Sequence, residues 1–255
     1  MFESIKSQVR IIIALTIRDM QNQNKGLSGG LAWAIIDVLL YVGAMSLIRV
    51  FIKAFMPPGM PPFTFLVLGI VPWQTFSATM KVGESAIQKN RKLLSLPVVT
   101  PLDVVLASAL DQLCTYGIVF AGLMLVCSYF ESVPPPRFPI GVILIFLASW
   151  FLGLTFGLML APLYRMFQPA KWLWKPVKKS FFWTSGLYFV ITSMPANLWP
   201  LMTWNPILHI NELMRTYWFT TYNTPIGSPA YIIVWVLGLG VLGLSLERFI
   251  RRVPA

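Results

Sequence analysis

Charge is scarce in this 255-residue chain. Asp, Glu, Lys and Arg make up 11% of it, against about 25% in ordinary soluble domains. Acidic residues are the rarer sign, nine against twenty Lys and Arg, and the net charge is +11. With 56% hydrophobic residues and a mean hydropathy of +0.70, the chain is built for a bilayer. Cysteine is nearly absent. Cys114 and Cys127 lie in one apolar segment, so neither disulfide nor metal spacing occurs. There is one histidine, His209, and no phosphate loop of the GxxxxGK[ST] type. If a nucleotide drives any process here, another chain hydrolyses it. No cleavable signal peptide is expected, because Glu3, Lys6, Arg10, Arg18 and Asp19 interrupt the first twenty residues.

What is present is a series of apolar runs. Residues 1–20 read as an amphipathic helix, with Ile5, Val9, Ile12, Ile13, Thr16, Ile17 and Met20 on one stripe. Such a helix suits the headgroup plane. A polar elbow, 21–30, follows. Spans are predicted over 31–48, 63–80, 101–127 and 140–163. A polar loop over 81–100 has a short helical centre, SAIQKNRKLLSL, and a basic loop occupies 164–175. A last span covers 231–246 and a basic tail 247–255.

Between the fourth and last spans lies the least ordinary stretch. Lys175, Lys178 and Lys179 precede an apolar run over 181–191, and Pro195, Pro200 and Pro206 then break the chain. Eleven helical residues cover only about 17 Å of an apolar core about 30 Å thick. Either lysine stems snorkel to lengthen this fifth span, or the chain turns back into the membrane. Backbone that is not helical at that depth must be buried in protein or line a wet cavity. The stretch therefore predicts a pathway. Sixteen of the twenty basic residues fall on one side of this six-span topology, which predicts cytoplasmic termini.

Several stretches resemble one family. Arg18, Asp19, Gly30 and Trp33 in TIRDMQNQNKGLSGGLAWAII are similar to the approach to the first span of type-2 ABC export permeases. GIVPWQTFSATM and KNRKLLSLPVVTPLD resemble their second span and coupling loop. MPANLWPLMTWNPILHINELMR carries the most specific likeness, to capsular-polysaccharide export permeases, through Pro195, Trp199, Trp204, Asn205, Pro206, His209, Glu212 and Arg215. Asp37 departs from the pattern, where a Glu-Pro is expected. The resemblance implies one transmembrane domain over 1–255: interface helix and elbow 1–30, spans one to five 31–191, re-entrant periplasmic helices 192–230, and span six with its tail 231–255. It implies an all-α, multi-pass protein of a bacterial inner membrane that works as a homodimer with two ATP-binding subunits. Those subunits would bind ATP and magnesium, leaving this chain without cofactor or catalytic residue. It implies export of a lipid-linked, usually acidic polysaccharide, continued by a periplasmic adaptor and an outer-membrane protein. The +11 charge reports topology and does not argue for nucleic acid.

Within this frame the residues divide into groups. Gln88, Lys89, Arg91 and Lys92 with the apolar tip Leu93 and Leu94 are expected to seat in a groove of the ATPase; a solvated loop is the plainer alternative. Trp33, Trp73, Phe181, Phe182 and Tyr188 are expected along the pathway, where rings stack on sugars, although Trp and Tyr also form interfacial belts. Arg18, Lys25, Lys171, Lys175, Lys178 and Lys179 are expected to receive an acidic head group; the alternative is that they only set topology. Trp204, Asn205, Pro206, His209, Glu212 and Arg215 read as a structural motif, with Asn205 as N-cap, Pro206 at the first helical position and Glu212 paired with Arg215. Rival functions are a permease for another amphiphile such as O-antigen, teichoic acid or a drug, an ion-coupled transporter using Asp37, Asp103 and Asp111, and a membrane scaffold. No internal repeat supports the ion-coupled reading.

Overall fold

Proline starts five of the helices, because its fixed φ suits the first turn and its missing N–H has no partner there anyway. These are α3 (Pro62–Lys89), α4 (Pro101–Glu131), α5 (Pro139–Met166), α8 (Pro206–Trp218) and α9 (Pro229–Arg252). The others are α1 (Phe2–Asn24), α2 (Gly30–Ile52), α6 (Ala170–Trp183) and the short α7 (Trp199–Thr203). The computed structural model describes residues 2–24, 30–52, 59–91, 93–95 and 99–252, and among them the chain is helical without strands. Lys25 and Lys92 lie outside the described residues.

Among the described residues, five helices are long and apolar enough to cross a bilayer: α2, α3, α4, α5 and α9. Six were expected. The run over 181–191 is not one helix: α6 stops at Trp183, residues 184–190 are irregular, and a 3-10 turn follows at Ile191–Ser193. Gly186 takes a positive φ of 68°, a conformation open to glycine that ends helical continuation.

The centre of the fold is the pair α3 and α5. They cross at small residues: a Cβ added to Gly157 would sit 2.8 Å from Gly83 Cα and 2.8 Å from Met80 O. Such close approach maximises dispersion contacts where lipid offers no hydrophobic drive. α4 packs beside α3, and its last residue reaches over α3's start. The Glu131 carboxylate accepts from the Phe63 N–H at 3.0 Å, the Thr64 N–H at 2.9 Å and the Thr64 hydroxyl at 2.6 Å. A helix N-terminus has orphan donors and partial positive charge, so this acid caps it from another helix.

α1 packs on α4 through Thr16, whose hydroxyl lies 3.3 Å from Ala107 O, and Asp19, which accepts from the Ser108 hydroxyl at 2.9 Å. Of its expected apolar stripe, Thr16 faces protein while Val9, Ile13 and Ile17 stay exposed. The loop after the second span also differs from expectation. No proline lies between Met80 and Asn90, and α3 runs on through Gly83, so residues 85–89 are its last turn rather than a separate helix, and tight turns follow.

Candidate functional site

Two helical stripes face each other at one end of the fold. On α6, Lys171, Lys175, Lys178 and Phe182 recur at spacings of four, three and four. On α3, Gln74, Ser77, Lys81, Glu84 and Gln88 recur at spacings of three and four. Such spacing keeps side chains on one face. Between them lies an open cleft of about 450 Å³ lined by Lys81, Glu84, Gln88, Tyr164, Lys171, Lys175 and Lys178. Lys178 is half-buried there, whereas Lys171, Lys175 and Lys81 are exposed. Lys175 sits 4.4 Å over the Trp172 ring.

Lys175 and Lys178 also line a second pocket of about 370 Å³, with Lys179, Tyr41, Trp73, Gln74, Ser77, Phe182 and Trp183. Its wall is a chain of rings. Phe182 lies 5.2 Å from Trp73, 6.4 Å from Tyr41, 5.7 Å from Trp183 and 5.5 Å from Tyr188. Cations thus give way to aromatics across a shared pair of lysines.

Of the expected pathway residues, Trp73, Phe182 and Tyr188 come together. Phe181 does not. It points the other way on α6, buried against Phe156, Trp174 and Trp204, so it belongs to the core. Trp33 is exposed on α2 outside this pocket. Of the expected head-group residues, Lys171, Lys175, Lys178 and Lys179 gather here. Arg18 is engaged on the α1 side, with Asp19 and with Asn90 at 3.1 Å. Lys81, Glu84, Tyr164 and Tyr41 were not among the expected site residues; the α3 members were legible as a polar stripe only if the helix was carried past Met80.

The motif of α8 holds the irregular segment. Asn205 caps two helices at once. Its Oδ1 accepts from the Ile207 N–H at 2.9 Å, and its Nδ2 donates to Phe181 O at 2.7 Å and Thr184 Oγ1 at 2.8 Å. Asn211 Nδ2 donates to Ser185 O at 2.8 Å. Arg215 donates to Leu187 O and Phe189 O, each at 3.1 Å, and Glu212 accepts from the Ile191 N–H at 3.1 Å and from the Tyr222 hydroxyl. Glu212 and Arg215 are fully buried and 3.9 Å apart. Their expected pairing is present, but most of their hydrogen bonds go to backbone. His209 bonds Thr203 O at 2.8 Å, and Trp204 O accepts from the Tyr231 hydroxyl at 2.8 Å. This is how non-helical backbone survives away from water.

Beyond the polar stripe of α3, Gln88 and Lys89 are exposed on the end of the helix and Arg91 is exposed in the turn. Leu93 is half-buried. Leu94 packs back on the cluster of Ala86, Val104 and Val105, because an apolar side chain this near the bundle finds cover within the chain itself. The three acids of the ion-coupled reading have separate partners. Asp37 accepts from Gln74 Nε2 at 2.7 Å, Asp103 completes the capping box of α4, and Asp111 lies by Gln112.

No protein-family profile matches the chain. Curated relatives do. The polysialic acid transport protein KpsM of Escherichia coli is 26% identical over 239 residues, covering 92% of this chain and 91% of the relative. The capsule polysaccharide export inner-membrane protein CtrC of Neisseria meningitidis serogroup A is 25% identical over 254 residues, 98% and 95% of the two chains. BexB of Haemophilus influenzae, also a capsule polysaccharide export inner-membrane protein, is 22% identical over 250 residues, 96% and 93%. The likeness to capsule-export inner-membrane proteins extends over nearly the whole chain, and it supports a permease of the KpsM type.

Proposed function

We propose that this chain is the inner-membrane permease subunit of an ATP-driven exporter that moves lipid-linked capsular polysaccharide out of the cytoplasm. The observation that carries the reading is the pair Lys175 and Lys178, which line both the basic cleft and the aromatic pocket. An acidic linker would meet cations at a low-dielectric boundary, where attraction exceeds that in bulk water. The sugar chain would then pass to rings, whose contacts are individually weak and let a polymer slide. Trp73 and Phe182 line that wall, and Tyr188 packs behind it against Phe182. The exposed end of α3, with Gln88, Lys89 and Arg91, is the face offered to a separate ATPase. Two copies of the chain and two ATPase subunits make the working exporter, with both termini cytoplasmic. The segment 184–218 is re-entrant, completing with α6 the fifth crossing. A periplasmic adaptor and an outer-membrane protein continue the route.

The test is the double change Lys178→Gln and Lys179→Gln in the permease co-purified with its ATPase and reconstituted in vesicles. With cations at about 6 Å and an effective dielectric of about 20, each lysine contributes about 3 kcal/mol before screening. Glycolipid-stimulated ATP turnover should fall about tenfold or more at subsaturating glycolipid, with topology by cysteine labelling unchanged. Wild-type stimulation in the double variant sinks the head-group role.

A further inference from the structure

We infer that Arg215 is a positioning residue for the glycan-facing wall and acts through Tyr188. The inference rests on the pathway reading of that wall. Arg215 is fully buried, on α8, and outside both pockets. Its two terminal nitrogens donate to the carbonyls of Leu187 and Phe189, the residues on either side of Tyr188. One planar fork therefore fixes the backbone before and after a single ring. A guanidinium can do this because its donors sit in a rigid plane, whereas an ammonium is a point donor.

The grip matters because this stretch lacks a helical ladder. Residues 184–190 are irregular, and Gly186 turns the chain with a positive φ just before the gripped pair. The ring so placed lies 5.5 Å from Phe182 and 6.1 Å from Trp183, and both of these line the aromatic pocket. Tyr188 backs the wall, and Arg215 fixes Tyr188.

The surroundings of the guanidinium are shaped for it. It lies 3.7 Å from the centre of the Phe65 ring on α3. One turn along α3, Gly69 leaves room: a Cβ there would stand 2.9 Å from Arg215 Nη2 and 3.3 Å from Leu187 O. Glu212, 3.9 Å away, balances the charge while holding the Ile191 N–H on the far side of the same segment. A cation buried in this way is removed from any polysaccharide. Its influence on transport passes through the backbone it holds.

The experiment uses the permease co-purified with its ATPase in vesicles, titrated with the acidic glycolipid fraction extracted from the inner membranes of the producing cells. The variants are Arg215→Lys, Tyr188→Ala and the pair together, with Gly69→Ala as a second way to disturb the fork. Arg215→Lys should raise the half-saturating glycolipid concentration roughly threefold to tenfold, the range of one aromatic contact, with less than a twofold change in maximal stimulated rate. Tyr188→Ala should do the same, and the double variant should add nothing further. Gly69→Ala should shift the titration in the same direction. Additive shifts in the double variant overturn the inference while leaving the pathway reading in place. An unchanged titration in Tyr188→Ala overturns both. If Arg215→Lys and Gly69→Ala fail to assemble while Tyr188→Ala assembles, Arg215 serves the fold alone and the inference is overturned.

Discussion

Asn205→Asp separates two jobs that one amide performs. The asparagine caps α8 with its oxygen and the end of α6 with its nitrogen. Aspartate keeps the first job. It ranks with asparagine as an N-cap, and its charge near the helix N-terminus adds about 0.5 kcal/mol in favour of folding. It loses the second. A carboxylate oxygen would replace the amide nitrogen that now lies 2.7 Å from Phe181 O, so acceptor would face acceptor. The Thr184 hydroxyl can donate to the carboxylate only by leaving Ser180 O, 2.9 Å away, which keeps the Thr184 N–H; the carbonyl left orphaned is that of Phe181. That carbonyl belongs to the last turn of α6 and has no onward helical partner. Leaving it unsatisfied costs about 1–3 kcal/mol, and burying the carboxylate adds to this. The net loss is about 2 kcal/mol or more, a Tm drop of roughly 5 °C for a chain of this size. Thermal unfolding of the purified permease in detergent, followed by intrinsic fluorescence, measures it. A variant with wild-type Tm would refute the tether and leave Asn205 as a cap alone.

Leu93→Asp should cut ATPase co-purification about tenfold, whereas Leu94→Asp should lower Tm by several degrees, since Leu94 is packed on the chain's own core; pull-down and melting together distinguish them. Gly157→Val should cost about 2 kcal/mol or more by forcing α5 off Gly83 and the Met80 carbonyl, read as a Tm drop in detergent. Cysteines replacing the exposed Trp33 and Trp183 should cross-link between copies in membranes if two chains enclose the path; consistent failure beside working control pairs counts against that interface.

The parts of the fold that follow from local rules were legible. Asn205 and Pro206 announce a helix start, and α8 begins there. Proline marks the starts of α3, α4, α5 and α9. The basic loop expected over 164–175 is mostly helix instead, since α6 begins at Ala170, and that helix is what puts Lys171, Lys175 and Lys178 on one face. What spacing could not carry is the tertiary partner. Glu212 and Arg215, three apart, suggest an ion pair that satisfies itself; in the fold they face carbonyls and an N–H more than twenty residues away. Phe181 and Phe182 are equivalent as letters, yet one step of about 100° on α6 sends the first to the core and the second to the pocket. The cap on α3 is similar: nothing near Phe63 in sequence names Glu131 as the acid that reaches it.

The shortness of α6 and the polarity of α8 are two sides of one constraint. Fourteen residues of helix cover about 21 Å, too little for a core of about 30 Å. A longer helix would span alone but would also satisfy its own backbone and need nothing from α8. By ending at Trp183 the chain exposes carbonyls at 181, 185, 187 and 189, and each is matched by a side chain from Asn205, Asn211 or Arg215. That arrangement demands polar residues, fully buried, on a helix whose neighbours are apolar. It also allows a sharp turn at Gly186 that a helix would forbid, and the turn places Tyr188 beside Phe182 and Trp183. The polar motif on α8 and the aromatic wall are therefore coupled by geometry, although no residue of that motif lines the aromatic pocket. Changes that conserve the charge of the motif but not its hydrogen-bonding shape should reach the wall first and the global fold second.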